Sequence, residues 1–221
     1  MDNLNLYDVD KDYILFLQEA ETQHRGFTRV PNMEYEGEQK FLCGIVLQIN
    51  GLDYYVPISS YKNKQSESIL IIFPDDNYNP IKGSLRFNYM IPVPQNKIKV
   101  RVIKDEQRTH RRLFLHKQLE FCNTNVEKIR NQAMRTYKRI INNYNPSLSL
   151  NSCDFQFLEQ KCMQYVEMQK AAQEAAPTLD YSEPPSVKAS SINEMIRKAK
   201  ESQAKRQGQT ARENSSRHDE R

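Results

Sequence analysis

Ser59, Ser60 and Lys62 sit in the stretch 54–64, YYVPISSYKNK, where alternating apolar residues give way to two hydroxyls, an aromatic and an ammonium. Alternate side chains of an extended chain share a face, so Ser60 and Lys62 can converge on one atom. A hydroxyl supplies one directional hydrogen bond and a lysine one positive charge, which together suit a phosphate oxygen. From spacing alone, a solvated strand end explains the same residues. Other chemistries have less support. Neither serine lies in a G-x-S-x-G turn or near a His–Asp pair. Asp75 and Asp76 stand between Pro74 and Asn77 as a polar turn does. His24, His110, His116 and His218 are too scattered for a ligand set, so no metal or cofactor is expected. Cys43, Cys122, Cys153 and Cys162 show no CxxC spacing and read as reduced thiols packed as small apolar groups.

A second group of charges lies in RTHRRLFLHKQLEF, residues 108–121. Arg108, Arg111, Arg112 and Lys117 follow one another there with no acid between them. A solvated helix face and a backbone-binding patch for nucleic acid both fit. Tyrosines outside apolar runs, such as Tyr35 and Tyr61, suit stacking on unpaired bases.

The elements that must position these residues follow from periodicity. DKDYILFLQEAE reads as an amphipathic helix with Tyr13, Leu17 and either Phe16 or Ala20 on one face. A polar connector, 22–40, leads to FLCGIVLQI and LDYYVPI, which flank Asn50-Gly51, a pair that tolerates the positive φ of a type I′ hairpin turn. SILIIF, SLRFNYMI and KIKVRVI add three strands. Five β segments with short polar links predict an antiparallel, strongly twisted sheet or partial barrel. Beyond Asp105 the period changes: Leu115, Leu119, Cys122, Val126, Ile129 and Ala133 mark one face of a long helix, which CNTN can bend and Asn145-Pro146 ends. A further helix starts at Asp154, a competent N-cap. The fold class is α+β, with helices covering one sheet face.

The 221 residues suit one domain, placed at 1–174, with an extension at 175–221. PTLDYSEPPS reads as a linker, residues 190–206 as a lone basic helix, and the rest of the tail as flexible. Nine bases and five acids beyond residue 186 carry an excess equal to the net charge of the chain, +4, so any nucleic-acid surface on the folded part is a local patch. No apolar run approaches the roughly 18–20 residues that span a bilayer. The acidic start lacks the basic and apolar regions of a signal peptide, so a cytoplasmic location without membrane contact is expected.

The order of four segments is informative. FLCGIVLQINGLDYYVPISSYK, LRFNYMIPV, HKQLEF and CDFQFLEQK together resemble the ToxN/AbiQ family of type III toxin–antitoxin endoribonucleases, over about residues 4–168. The resemblance implies a compact twisted antiparallel sheet with surrounding helices, of the MazF/Kid-like toxin architecture. It implies metal-independent, sequence-preferring cleavage of cellular and phage RNA. A small repeat RNA, cut by the toxin from its own precursor, is implied as antitoxin, in a closed ring of alternating toxin and RNA units that serves phage defence by growth arrest. Ser60 matches the essential serine of the family, Lys62 the lysine two residues on, and Ser59 a position where Ser or Thr is usual. Tyr13 and Tyr35 fall where the family places active-site tyrosines, and His116 and Lys117 match a polar pair at a helix start. Tyr61 departs from a proline seen in some relatives. With Arg111 and Arg112 from the basic cluster, Tyr35, His116 and Lys117 make up the expected RNA-binding set.

The chemistry so implied uses the 2′-hydroxyl of the substrate as nucleophile and leaves 2′,3′-cyclic phosphate and 5′-hydroxyl ends. Lys62 fits charge stabilisation, since a lysine of pKa about 10.4 is a poor base at neutral pH. Ser59 and Ser60 fit as hydrogen-bonding groups. Tyr13 is one candidate proton donor, and His116, with an intrinsic pKa of about 6.5, another. Two rival expectations stand beside this one: a non-catalytic RNA-binding protein using the basic helix and tyrosines, and an interaction protein of a mobile element docking through its tail.

Overall fold

Asn50 and Gly51, at φ 52° and 75°, reverse the chain between two eight-residue strands whose register runs from Ile49↔Leu52 to Leu42↔Pro57. The structure, a computed structural model, describes residues 3–35 and 38–175. The expectations for the tail lie outside them. In chain order the elements are β1 (Asn5–Val9), α1 (Lys11–Arg25), β2 (Glu34–Tyr35), β3 (Glu38–Gln39), β4 (Leu42–Ile49), β5 (Leu52–Ser59), β6 (Ser68–Ile72), β7 (Ile81–Arg86), β8 (Ile91–Pro92), β9 (Ile98–Val100), α2 (Thr109–Thr124), α3 (Val126–Ile141), α4 (Pro146–Leu150) and α5 (Phe155–Ala175).

Seven strands form one open antiparallel sheet in the order β6-β7-β5-β4-β1-β9, and β2 pairs separately with β3. Strand β5 is the branch point. Its last residues pair with β7 (Ile58↔Leu85, Ser59↔Ser84), while Tyr54 and Tyr55 pair with β8. The α+β class and the antiparallel sheet agree with the sequence reading.

Several elements differ from it. β1 adds a strand between β4 and β9 that the polar N-terminus concealed. SLRFNYMI, expected as one strand, is broken by a 3-10 turn at Phe87–Tyr89 that steps the chain from β7 to β8. KIKVRVI keeps only three residues of strand. The long helix is two helices, parted at Asn125, whose φ of −110° and ψ of 21° leave the helical region. Asn145 caps a short helix not foreseen, α4, by accepting from Leu148 N at 3.2 Å. Asp154 caps α5 as expected, accepting from Phe157 N at 3.2 Å.

The core joins sheet and helices: Leu42, Val56 and Leu85 share one buried cluster with Leu17, Leu115, Ile129 and Leu158. Buried carboxylates tie elements together, Glu159 and Glu21 among them. Glu159 accepts from Tyr54 Oη at 2.8 Å, Tyr137 Oη at 2.7 Å and Asn50 Nδ2 at 3.1 Å, linking the β4–β5 hairpin to α3 and α5. Glu21 accepts from Thr28 Oγ1 at 2.7 Å, Arg29 N at 2.6 Å, Asp154 N at 2.8 Å and Arg25 Nη1 at 3.0 Å. Each acceptor bond to a buried carboxylate offsets its desolvation. Glu21 thereby pins the 28–30 loop against α1 and the start of α5. All four cysteines are free and buried, as expected.

Candidate active-site cleft

Strand β5 stops at Ser59, and the chain bends at Ser60. Three contacts shape the bend. The Ser59 hydroxyl accepts from Tyr61 N at 3.1 Å, and Ser84 Oγ, fully buried on the neighbouring strand, donates to the Tyr61 carbonyl at 2.7 Å. Gly83, at φ 152°, lets β7 approach so closely that a Cβ there would lie 2.3 Å from the Ser59 carbonyl oxygen. Only glycine tolerates both conditions. The bend also corrects the spacing argument for Lys62, which assumed extended chain through Ser60. The Lys62 ammonium donates to Asn79 Oδ1 at 3.2 Å, on the loop between β6 and β7.

Ser59 and Ser60 border a cleft of about 660 Å³. Its walls come from the 28–33 loop, Lys40 and Phe41, the end of β5, Lys82, Arg86 and Tyr89, and the α2 face carrying Arg111, Phe114, Leu115 and Gln118. Among the described residues, five that line it are cationic (Arg29, Lys40, Lys82, Arg86 and Arg111) and none is a carboxylate. Such a lining concentrates positive potential where the two hydroxyls lie.

Most of these cations are held in place. Arg29 donates to the Leu150 carbonyl at 3.3 Å and Asn151 Oδ1 at 3.1 Å. Lys82 pairs with Asp76, and Arg111 Nε lies 3.2 Å from Glu106 Oε2. The hydrogen bond from Lys82 holds the Asp76 carboxyl below its ordinary value. The backbone N–H of Arg108 does the same for Glu106, against a smaller opposing effect of burial.

The other expected site residues distribute unevenly. Arg111 lines the cleft, but Arg112 Nη1 donates to the Glu106 carbonyl at 3.1 Å. The basic cluster is therefore not free of acid: Glu106, just upstream, meets Arg108 and Arg111. Lys117 pairs with Asp75 beside a different hollow, and His116 is exposed on α2 outside the cleft lining. Tyr35 belongs to the small β2–β3 hairpin and not to a loop. Tyr13 lies outside the cleft lining. It is fully buried, its hydroxyl donates to the Pro92 carbonyl at 2.8 Å, its ring stands edge-on to Tyr165, and burial raises its pKa well above the usual tyrosine value. A hydroxyl so placed ties α1 to β8.

Two residues absent from the sequence reading line the cleft with buried polar atoms lacking hydrogen-bond partners: Arg86, at Nε, and Gln118, at Oε1. Both carried a signal. Gln118 stands on the apolar stripe of α2 between Leu115 and Cys122, and Arg86 lies between Leu85 and Phe87 in the segment SLRFNYMI. A polar group on a buried face calls for a partner.

The family model described as toxin ToxN of type III toxin–antitoxin systems matches residues 5–163. The chain is 30% identical to endoribonuclease ToxN of Bacillus thuringiensis subsp. kurstaki over 177 residues, 77% of this chain and 88% of that protein. With endoribonuclease AbiQ of Lactococcus lactis subsp. lactis the identity is 27% over 172 residues, 73% and 89% of the two chains. A solved structure of a type III toxin selectively inhibited by a non-coding RNA pseudoknot superposes with a TM-score of 0.66 at 28% identity, covering 75% of this chain and 99% of that one. The structure of AbiQ, a lactococcal anti-phage endoribonuclease, superposes with a TM-score of 0.62 at 26% identity over 75% and 99%. With this fold around a cationic cleft and a family match spanning most of its length, the chain belongs to the ToxN family of type III toxin–antitoxin toxins.

Proposed function

We propose that this toxin is an endoribonuclease that cuts RNA in the cleft beside Ser59 and Ser60, by directing a ribose 2′-hydroxyl at the adjacent phosphorus. The observation that carries the reading is the conjunction of two hydroxyls at a strand end with five lining cations and, among the described residues, no lining carboxylate. The endoribonuclease names of the relatives support the same chemistry.

In this reaction the 2′-oxygen gives up its proton and bonds to phosphorus, the bond from phosphorus to the 5′-oxygen breaks, and that oxygen takes up a proton. The products are a 2′,3′-cyclic phosphate and a 5′-hydroxyl. The cleft lowers the barrier by fixing the in-line arrangement and by stabilising the charge that accumulates on the phosphorane. Ser60, exposed at the bend, is placed to hydrogen-bond the reacting phosphate or 2′-hydroxyl, with Ser59 supporting the bend. The long stem of Lys62 brings its ammonium to the phosphate when it releases Asn79. Among the described residues no histidine lines the cleft, so the proton transfers fall to hydroxyls, to the RNA or to solvent.

The same cleft takes up a small repeat RNA as inhibitor, trimmed from its precursor by this reaction and assembled with the toxin in a ring. Residues 1–174 carry the activity, which serves phage defence by growth arrest.

The test is analysis of RNA ends after incubation with purified protein. Cyclic phosphate termini are expected from the unmodified chain, and loss of cleavage with retained RNA binding from Ser60→Ala. A 2′-deoxy sugar immediately before the cut blocks the reaction. Cleavage of that substrate excludes the 2′-hydroxyl route, and binding without any cleavage by the unmodified chain favours an RNA-binding protein.

A further inference from the structure

Of the cations around the cleft, Arg86 stands apart. Arg29, Lys82 and Arg111 have the oxygen partners given above, and Lys40 donates to the Asn32 carbonyl at 3.2 Å. Among the described residues, no carboxylate pairs with Arg86, and its Nε is buried without a hydrogen-bond partner. What holds the guanidinium is aromatic: its central carbon lies 4.6 Å from the ring centroid of Tyr89 and 5.4 Å from that of Tyr61. Ring faces orient a cation without cancelling its charge, as a carboxylate would. A half-buried guanidinium kept in this way retains its full attraction for an anion.

Its place in the fold matters equally. Arg86 ends β7, two residues beyond Ser84, whose backbone pairs with Ser59, so it extends from the strand that shapes the serine bend. Arg86 and Tyr89 also wall a second hollow of about 330 Å³, lined by Gln65, Asn88, Asn145 and Asn151 and by Glu67, whose buried carboxylate is taken up by Gln132, Thr136 and Arg139. The guanidinium thus marks the saddle between a cationic cleft and a hollow rich in carboxamides. Asn151 is engaged at both amide atoms, Asn145 at Oδ1 and Asn88 at Nδ2, which leaves the Gln65 amide, Asn88 Oδ1 and Asn145 Nδ2 as the donors and acceptors that can match a base edge.

We propose that Arg86 is the phosphate clamp of this site: it grips an RNA phosphate at the saddle, with one nucleotide over Ser59 and Ser60 and the next base in the carboxamide hollow. The inference rests on the endoribonuclease reading. The planar fork of arginine suits two parallel bonds to one phosphate, which a lysine cannot make.

The experiment measures affinity for an RNA carrying 2′-O-methyl at every position, which binds without being cut, across a range of salt concentrations. Cleavage of ordinary RNA and thermal melting are followed in parallel. Arg86→Met is expected to flatten the dependence of log affinity on log salt by about 0.7, the loss of one phosphate contact on a single strand. Cleavage falls by about 100-fold or more, with a melting temperature no lower than that of the unmodified chain. Arg86→Lys restores the salt slope but not the rate. Tyr61 is 42% exposed, so its replacement leaves folding intact even if Arg86→Met does not fold. Tyr61→Leu weakens binding several-fold, whereas Tyr61→Phe does not. An unchanged salt slope in a folded Arg86→Met protein overturns the proposal, as does equal binding by the two Tyr61 variants. If the unmodified chain leaves RNA intact, the endoribonuclease reading fails, while the salt slope still decides whether Arg86 grips phosphate.

Discussion

Ser84 donates its buried hydroxyl to the Tyr61 carbonyl at 2.7 Å, so a side chain of β7 fixes the bend that presents Ser60. Removing it leaves a carbonyl without its partner, at a cost of about 1–3 kcal/mol. Ser84→Ala is therefore expected to lower stability by that order and cleavage by roughly tenfold, since catalysis depends on placement within a fraction of an ångström. Gly83→Ala acts more severely, because its Cβ meets the Ser59 carbonyl at 2.3 Å. Urea unfolding and single-turnover cleavage measure the two effects separately. A Gly83→Ala protein with full activity contradicts the close approach.

Glu21 holds the 28–30 wall loop from beneath. In Glu21→Gln the new amide N–H group faces donors already aimed at the carboxylate, and Arg25 loses its ionic partner. Stability falls by about 3 kcal/mol, and RNA binding weakens because Thr28, Arg29 and Val30 no longer form a fixed wall. Salt-dependent binding beside thermal melting tests this. A melting temperature near that of the unmodified chain excludes the pinning role.

Gln118 reverses the usual relation between stability and activity. Its Oε1 is buried without a partner, a cost that Gln118→Met removes at similar side-chain length. The variant should melt higher while cleavage of RNA drops by about tenfold. Lower stability with unchanged cleavage would assign Gln118 a purely structural role.

The pH dependence follows from carboxyls held low. Hydrogen bonds from Lys117 and Lys82 depress Asp75 and Asp76 below 3.8, and the Arg108 backbone N–H depresses Glu106 below 4.5. A depressed folded pKa contributes stability that is complete above the unfolded value and is lost as the pH falls through the folded one. These pairs therefore leave stability flat from neutral pH down to about 5 and lower it only in more acidic solution. Asp76→Asn reduces that acid loss and, by freeing Lys82 into the cleft, tightens RNA binding at neutral pH. Melting curves across pH and a binding titration check both outcomes.

Period and turn chemistry made much of this molecule legible. Asn50-Gly51 announced the hairpin, Asp154 the start of α5, and the apolar run 68–73 its strand. What escaped notice was set by tertiary pairing. β1 has a polar, acidic sequence, yet its Leu4–Leu6 neighbourhood is buried because β4 and β9 flank it. The 3-10 step at Phe87–Tyr89 falls in an apolar run that looks like continuous strand. Ser59 and Ser60 follow the point where the apolar alternation stops, and they border the cleft. Tyr13 carried the same resemblance, and its apolar helical spacing matches its burial. Arg86 and Gln118 are distant in sequence from the serines, and only the sheet and α2 bring them together.

The cleft gathers residues from Thr28 through Gln118, and its Arg29 wall leans through Glu21 on the backbone of Asp154. A ribosome must therefore release nearly the whole domain before the nuclease exists. A chain cut short before Asp154 lacks the backbone that Glu21 leans on, and is expected to show no complete cleft.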